Sequence, residues 1–162
     1  RLDKETSGVL IVAKNREYAQ LFTSLFRIRK IHKTYIALTY GKVSKSIKTL
    51  KDDLVTLDNG KKIIQKAISY LRLLKTSFDF SYVELNPITG RKHQLRKQLY
   101  NIGNPIVGDE KYFIDRRVNK IKSKKKNLML HAYKIKFMIN NIQYNFKAKY
   151  DKEFENFLKK NF

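Results

Sequence analysis

Two runs rich in β-branched and aromatic residues, 62–75 and 79–86, flank Thr76-Ser77-Phe78 at hairpin spacing, and they constrain this chain most. Thr34–Tyr40 reads as a further strand ending at Gly41, and two late strands are expected near 128–138 and 142–149. The apolar run Val9-Leu10-Ile11-Val12-Ala13 reads as a buried strand. Helical spacing appears after Asn15, a candidate cap, with Tyr18, Leu21, Phe22, Leu25 and Phe26 on one face. It returns over 91–102 with Leu95, Leu99 and Ile102, where Gly103 suits the C-terminal cap, and in a short closing helix with Phe154, Phe157 and Leu158. Residues 45–61 are polar, with a turn signal at Asp58-Asn59-Gly60, and 104–126 read as a long loop. Strands outnumber helices and hairpin-length connections dominate. The expected class is α+β, a mixed, largely antiparallel β-sheet with flanking helices.

The 162 residues show no repeat and no Pro/Ser-rich linker, so one domain over 1–162 is expected, long enough to bury a real core. Lys+Arg 36 against Asp+Glu 14 gives +22, beyond what solubility needs and suited to a polyanion. A Lys-rich coding bias contributes, but the arrangement is uneven. Arg116, Arg117, Lys120, Lys122, Lys124, Lys125 and Lys126 crowd together, and Arg27, Arg29, Lys30 and Lys33 form a second basic stretch. Dense basic segments fit a nucleic-acid footprint better than a uniform bias does. No apolar run approaches the ~20 residues of a membrane span, so no membrane partner is expected. With no cysteine there is neither a disulfide framework nor a thiolate metal site, which fits a cytoplasmic protein. His32, His93 and His131 lie far apart without ligand spacing, so no metal is expected.

Two segments carry candidate chemistry. Arg1-Leu2-Asp3-Lys4-Glu5-Thr6-Ser7-Gly8 sets a carboxylate between a basic residue and a Thr-Ser-Gly turn, just ahead of an apolar run. Taken alone, that order is more often a turn or cap than a catalyst. In Asn86-Pro87-Ile88-Thr89-Gly90-Arg91-Lys92-His93-Gln94-Leu95-Arg96, a strand ends, Gly90 permits a sharp turn, and a helix begins with Arg91, His93, Gln94 and Arg96 in or near its first turn. Basic residues at the positive end of a helix are locally unfavourable unless an anion arrives, so a phosphate or carboxylate is expected there.

Arg1-Leu2-Asp3 with Thr6-Ser7-Gly8, then Lys33-Thr34-Tyr35-Ile36-Ala37, then Gly90-Arg91-Lys92-His93-Gln94-Leu95-Arg96, closely resembles the RluA-type pseudouridine synthase family. Gly108-Asp109-Glu110-Lys111-Tyr112 and Leu130-His131-Ala132 agree, so the resemblance covers nearly the whole chain. It departs in two places. The family usually has a His before Arg1, upstream strands and often a small S4-like RNA-binding domain, so the chain is expected to be an N-terminal truncation. The family also tends to carry His where this chain has Gln98.

The resemblance implies the pseudouridine synthase fold and isomerisation of uridine in structured RNA, most often large-subunit ribosomal RNA, with tRNA also open. It matches Asp3 to the catalytic carboxylate, which either attacks C1′ or removes a sugar proton to form a glycal. Arg96 matches the guanidinium partner of that carboxylate, and it could bind Asp3 in bidentate fashion. Tyr35 matches the aromatic that stacks on the base, with a hydroxyl that can assist C5 deprotonation. Base extrusion is expected, with Arg1 at the vacated space or the flipped nucleotide. Arg91, His93 and Gln94 are expected to position the Asp3 loop or the RNA backbone, and Lys124, Lys125 and Lys126 to bind RNA. His131 is expected to be a buried structural group at a strand start. The reaction is redox-neutral and hydrolyses nothing, so no cofactor is implied, and a monomer is expected. The alternative is a non-catalytic basic RNA-binding or ribosome-assembly module, for which charge alone suffices. A glycoside or nucleoside hydrolase is weaker, because no second carboxylate has a comparably marked position.

Overall fold

In a computed structural model, residues 2–58, 60–112 and 127–162 are described. The order is β1 (Ser7–Gly8), α1 (Arg16–Arg27), β2 (His32–Tyr40), β3 (Thr49–Asp58), β4 (Lys61–Thr76), β5 (Phe80–Pro87), α2 (Gln94–Asn101), β6 (Leu130–Ile139), β7 (Ile142–Lys147) and α3 (Lys152–Asn161). The strands form one sheet in the order β1-β6-β2-β5-β4-β3, with β7 also paired to β6. Among the described residues only β1 runs parallel to its neighbour; the other pairings are antiparallel. The mixed, largely antiparallel class expected from the sequence is therefore what forms.

β2 sits in the middle of the sheet, and Ile36, Ala37, Leu38 and Thr39 are buried in succession because helices and loops cover it on both sides. β5 instead alternates buried and half-buried positions, as a strand with one core face should. Together with Leu71, Leu99, Ile106, Val107 and Phe154 these residues make the main core. α3 is started by Asp151, whose carboxylate accepts from the Phe154 amide at 2.8 Å, and it seats Phe157 edge-on against Phe80. α1 is started by Asn15 as expected, and Phe22 and Leu25 close a smaller cluster with Ile31, Ile135 and Phe137. Its Tyr18 and Phe26 stay largely exposed, so the helix lies against the sheet rather than in it.

Four expectations change. Residues 9–13 are not a strand: after Ser7 and Gly8 pair with His131 and Ala132, β7 occupies the same edge of β6 from Lys134 onward. Val9 and Ile11 still reach the smaller cluster, while Leu10 and Val12 point to solvent. The polar segment 45–61 contains β3, which buries Leu50 and Leu54. The expected turn follows it, with Asp58 opposite Lys61 and Gly60 at φ +77°. α2 begins at Gln94 rather than Arg91, because the Gln94 side chain folds back onto the Arg91 amide and closes a turn there. Finally, the expected loop 104–126 contributes to the core: Ile106 bridges Thr39, and Val107 donates to the Leu38 carbonyl at 2.9 Å. Gly103, at φ +78°, ends α2 as anticipated. No helix among the described residues is long and apolar enough to cross a membrane.

Candidate active site

The loop ahead of β1 carries Asp3, and β1 fixes its downstream end. Gly8 adopts φ +112°, and a Cβ there would lie 2.3 Å from the Ala132 carbonyl oxygen, so only glycine allows this approach. Ser7 adds a side-chain tie, its hydroxyl 2.9 Å from Nδ1 of the buried His131. Nε2 of that ring faces the Ala148 carbonyl at 3.4 Å, so Nε2 bears the proton and Nδ1 accepts from Ser7. Burial pushes the His131 pKa down against the smaller opposing pull of the Ala148 carbonyl and Asp151, so the ring is held neutral. His131 is thus a structural anchor, in keeping with its expected place at a strand start.

A second wall comes from β2. Its ladder with β6 skips Tyr133, so Thr34 pairs with Lys134 but Tyr35 with Ala132. Lys33 and Tyr35, two residues apart on the strand, share a face and both line a cleft of about 360 Å³. Asp3, Gly90, His93 and Arg96 line it too. The Tyr35 hydroxyl pKa is pushed up to about 12, first by burial and then by the Asp3 charge, so it keeps its proton at neutral pH. Burial also lowers the Lys33 pKa, and Lys33 has no ion-pair partner among the described residues.

The third wall is the turn into α2. His93 takes the left-handed conformation (φ 53°, ψ 30°) at the helix start, which histidine tolerates better than most residues. Its Nε2 lies 3.6 Å from the Asp3 carboxylate and its Nδ1 2.6 Å from the Tyr112 hydroxyl. Burial, Arg96, Lys111 and Lys92 together lower the His93 pKa, with burial the largest cause and Asp3 opposing.

Arg96 is 4% exposed, and its guanidinium reaches Asp109 through Nε at 2.8 Å and Nη2 at 2.7 Å. Its remaining nitrogen approaches Glu5 at 3.4 Å, and Tyr112 lies beside its face, 5.3 Å to the ring centre. The bond to Asp109 raises the Arg96 pKa most, burial opposes it, and Asp3 adds only a longer-range contribution. The bidentate partner is therefore Asp109 and not Asp3. The reason is local: Asp109 is buried in a turn where its Oδ1 also accepts from the Lys111 and Tyr112 amides. Asp3 keeps 28% of its side chain exposed and faces the cleft.

Gln94 is bonded within its own turn and to β4. Its oxygen accepts from the Thr89 hydroxyl and the Arg91 amide, and its nitrogen donates to the Ile68 carbonyl and Ser69 hydroxyl. All its hydrogen-bonding capacity is engaged, and it shapes the turn from which His93 faces Asp3. Arg91 donates from Nε to the Lys66 carbonyl at 3.3 Å and lines the cleft. Gln98, fully buried, accepts from Ser69 at 2.6 Å and donates to the Leu50 and Ala67 carbonyls, a structural set of contacts. Arg1, Lys124, Lys125 and Lys126 lie outside the described residues. Sequence reasoning named Lys33 only within a basic stretch and gave Asp109 and Tyr112 no role of their own, although each stood inside a motif that carried the resemblance. Among the described residues, no three His, Cys, Asp or Glu side chains group closely enough to hold a metal ion.

Comparison with known proteins gives a consistent answer. The profile of a family described as RNA pseudouridylate synthase matches residues 1–101. The chain is 40% identical over 147 residues to ribosomal large subunit pseudouridine synthase C of Rickettsia bellii, covering 83% of this chain and 46% of that protein. It is 34% identical over 157 residues to tRNA pseudouridine synthase C of Haemophilus ducreyi, covering 85% and 64%. Among solved structures, human RNA pseudouridylate synthase domain containing 4 superposes with a TM-score of 0.81 at 28% identity, covering 98% of this chain and 73% of that one. The chain thus spans about half the length of the first relative and under two thirds of the second.

Proposed function

The chain belongs to the RNA pseudouridylate synthase family, and on that footing we propose that it isomerises uridine to pseudouridine in structured RNA. In that reaction the C1′–N1 bond breaks, the base turns, a C1′–C5 bond forms, the C5 hydrogen leaves and N1 gains one. A flipped uridine enters the cleft, because neither sugar nor base edge is reachable within a stack. Asp3 is the carboxylate for the sugar, by attack at C1′ or by taking a sugar proton. Tyr35, with its proton retained, offers a ring face for the base and a hydrogen-bond donor. Arg96 acts as fixed positive charge behind Asp3. Lys33 supplies a cation for a uracil oxygen or a backbone phosphate.

The single observation that carries this reading is one cleft holding Asp3, Tyr35 and the buried Arg96, drawn from motifs at residues 3, 35 and 96. A mere RNA-binding surface has no use for a carboxylate among phosphates. The same reading takes 1–162 as one catalytic domain, acting as a monomer in the cytoplasm and without a cofactor, since no electrons are exchanged. Large-subunit ribosomal RNA is the proposed substrate, the activity named for the Rickettsia relative, with tRNA second.

The test is release of tritium from RNA labelled at uridine C5. Release from a large-subunit ribosomal RNA transcript in stoichiometric relation to new pseudouridine is expected. Binding of that transcript and of tRNA without release from either would favour the non-catalytic module.

A further inference from the structure

We infer that Tyr112 is a positioning residue for Asp3, acting through His93: its hydroxyl holds the imidazole in the tautomer that turns an N–H toward the carboxylate. A neutral imidazole has one donor and one acceptor nitrogen. Nε2 of His93 faces the Asp3 carboxylate at 3.6 Å, and Nδ1 faces the Tyr112 hydroxyl at 2.6 Å. A lone pair on Nε2 would confront the carboxylate with a second acceptor, so the Nε2–H form is favoured from that side. The phenol, which can donate or accept, is a better donor than acceptor, so its O–H donating into Nδ1 reinforces the form the carboxylate favours. The carboxylate sets the tautomer and the phenol, by donating into Nδ1, holds the ring in it, as an orienting partner does for other site histidines.

Tyr112 is itself held for this task. Asp109 Oδ1 accepts its amide at 3.1 Å, and its ring lies beside the Arg96 guanidinium. The carboxylate that grips Arg96 therefore also fixes the residue that orients His93. The groups facing His93 are Asp3 from the N-terminal loop, Arg96 and Lys92 from its own turn and helix, and Lys111 and Tyr112 from the turn after Asp109. Three cations against one anion, with burial, keep the ring neutral, which is the state in which a tautomer choice exists. The 3.6 Å gap is wider than a hydrogen bond and leaves room to tighten when substrate presses on the Asp3 loop.

The catalytic part of this inference rests on the proposed uridine isomerisation; the tautomer does not. Imidazole ¹⁵N shifts of the 162-residue protein should show His93 protonated at Nε2 only, and Tyr112→Phe should give a mixture of the two forms. Tyr112→Phe should lower single-turnover tritium release about 10-fold with RNA affinity unchanged. In a His93→Gln background, where the donor toward Asp3 no longer depends on a tautomer, Tyr112→Phe should cost nothing further. A wild-type ring protonated at Nδ1 would overturn the inference whatever the activity. So would a Tyr112→Phe shift in tautomer with no loss of rate, or equal losses in both backgrounds. A protein with the Nε2–H ring but no tritium release would instead sink the isomerase reading alone.

Discussion

Arg96 gives one edge of its guanidinium, Nε and Nη2, to Asp109 at 2.8 and 2.7 Å, and both side chains are almost fully buried. Removing one partner of such a pair strands the other charge away from water. Asp109→Ala should therefore lower stability by about 3–5 kcal/mol, read as a fall in the urea midpoint. Glu5 touches the same guanidinium at 3.4 Å but is 55% exposed, so Glu5→Ala should cost less than about 1 kcal/mol. Equal losses for the two variants would contradict the buried pair as the anchor of this corner.

Asp3 makes no hydrogen bond to Arg96, and its side chain opens on the cleft. Asp3→Asn should abolish tritium release while RNA affinity changes by no more than a few-fold, because the group serves the reaction rather than docking. Filter binding alongside the release assay checks both halves. Retained product formation would remove Asp3 from the chemistry.

Burial depresses the His131 pKa, which gives stability a pH dependence of definite sign. In the unfolded chain an imidazole takes up its proton near its ordinary value of about 6.5; in the folded chain it does so lower. Between those values the unfolded state binds more protons. The His131 contribution is thus complete above about pH 6.5 and is lost as pH falls toward the folded value. Urea unfolding from about pH 8 to about pH 5 should show wild type losing its advantage over His131→Gln as acid is added. A difference that stays constant would refute the neutral buried ring.

Lys124, Lys125 and Lys126 are expected to meet RNA phosphates. Replacing all of them with alanine should flatten the salt dependence of binding by about 0.7–0.9 in log–log slope for each phosphate the variant no longer neutralises. An unchanged slope would make the run a solvated segment.

Local patterns in this chain were legible where one segment decides its own structure. Asn15 and the spacing of Leu21, Phe22 and Leu25 give α1, and Gly103 gives the end of α2. The hairpin of β4 and β5 follows from β-rich runs around Thr76-Ser77-Phe78. What failed depended on distant neighbours. Nothing in Val9–Ala13 reveals that β7 will take the edge those residues need, and nothing in the polar run Thr49–Asp58 shows that it will pair along β4 as an outer strand. The site divides the same way. Motif positions brought Asp3, Tyr35 and Arg96 to one cleft, but the grip of Asp109 on Arg96 and the Tyr112–His93–Asp3 chain of neighbours come from tertiary packing. Spacing along the chain carries no trace of them.

The two-residue strand at Ser7–Gly8 works as a mooring of fixed length. Since β7 blocks any sliding along β6, one extra amino acid between Asp3 and Ser7 cannot be absorbed by re-registering and must displace the carboxylate, by up to about 3.3 Å. One extra amino acid between Val12, which is exposed, and Asn15 lies beyond the packed Ile11, meets no such berth and is taken up as slack. An insertion series across this stretch would draw a boundary past Ile11, the last residue that packs in the smaller cluster and lines the cleft, with activity failing upstream of it and surviving downstream.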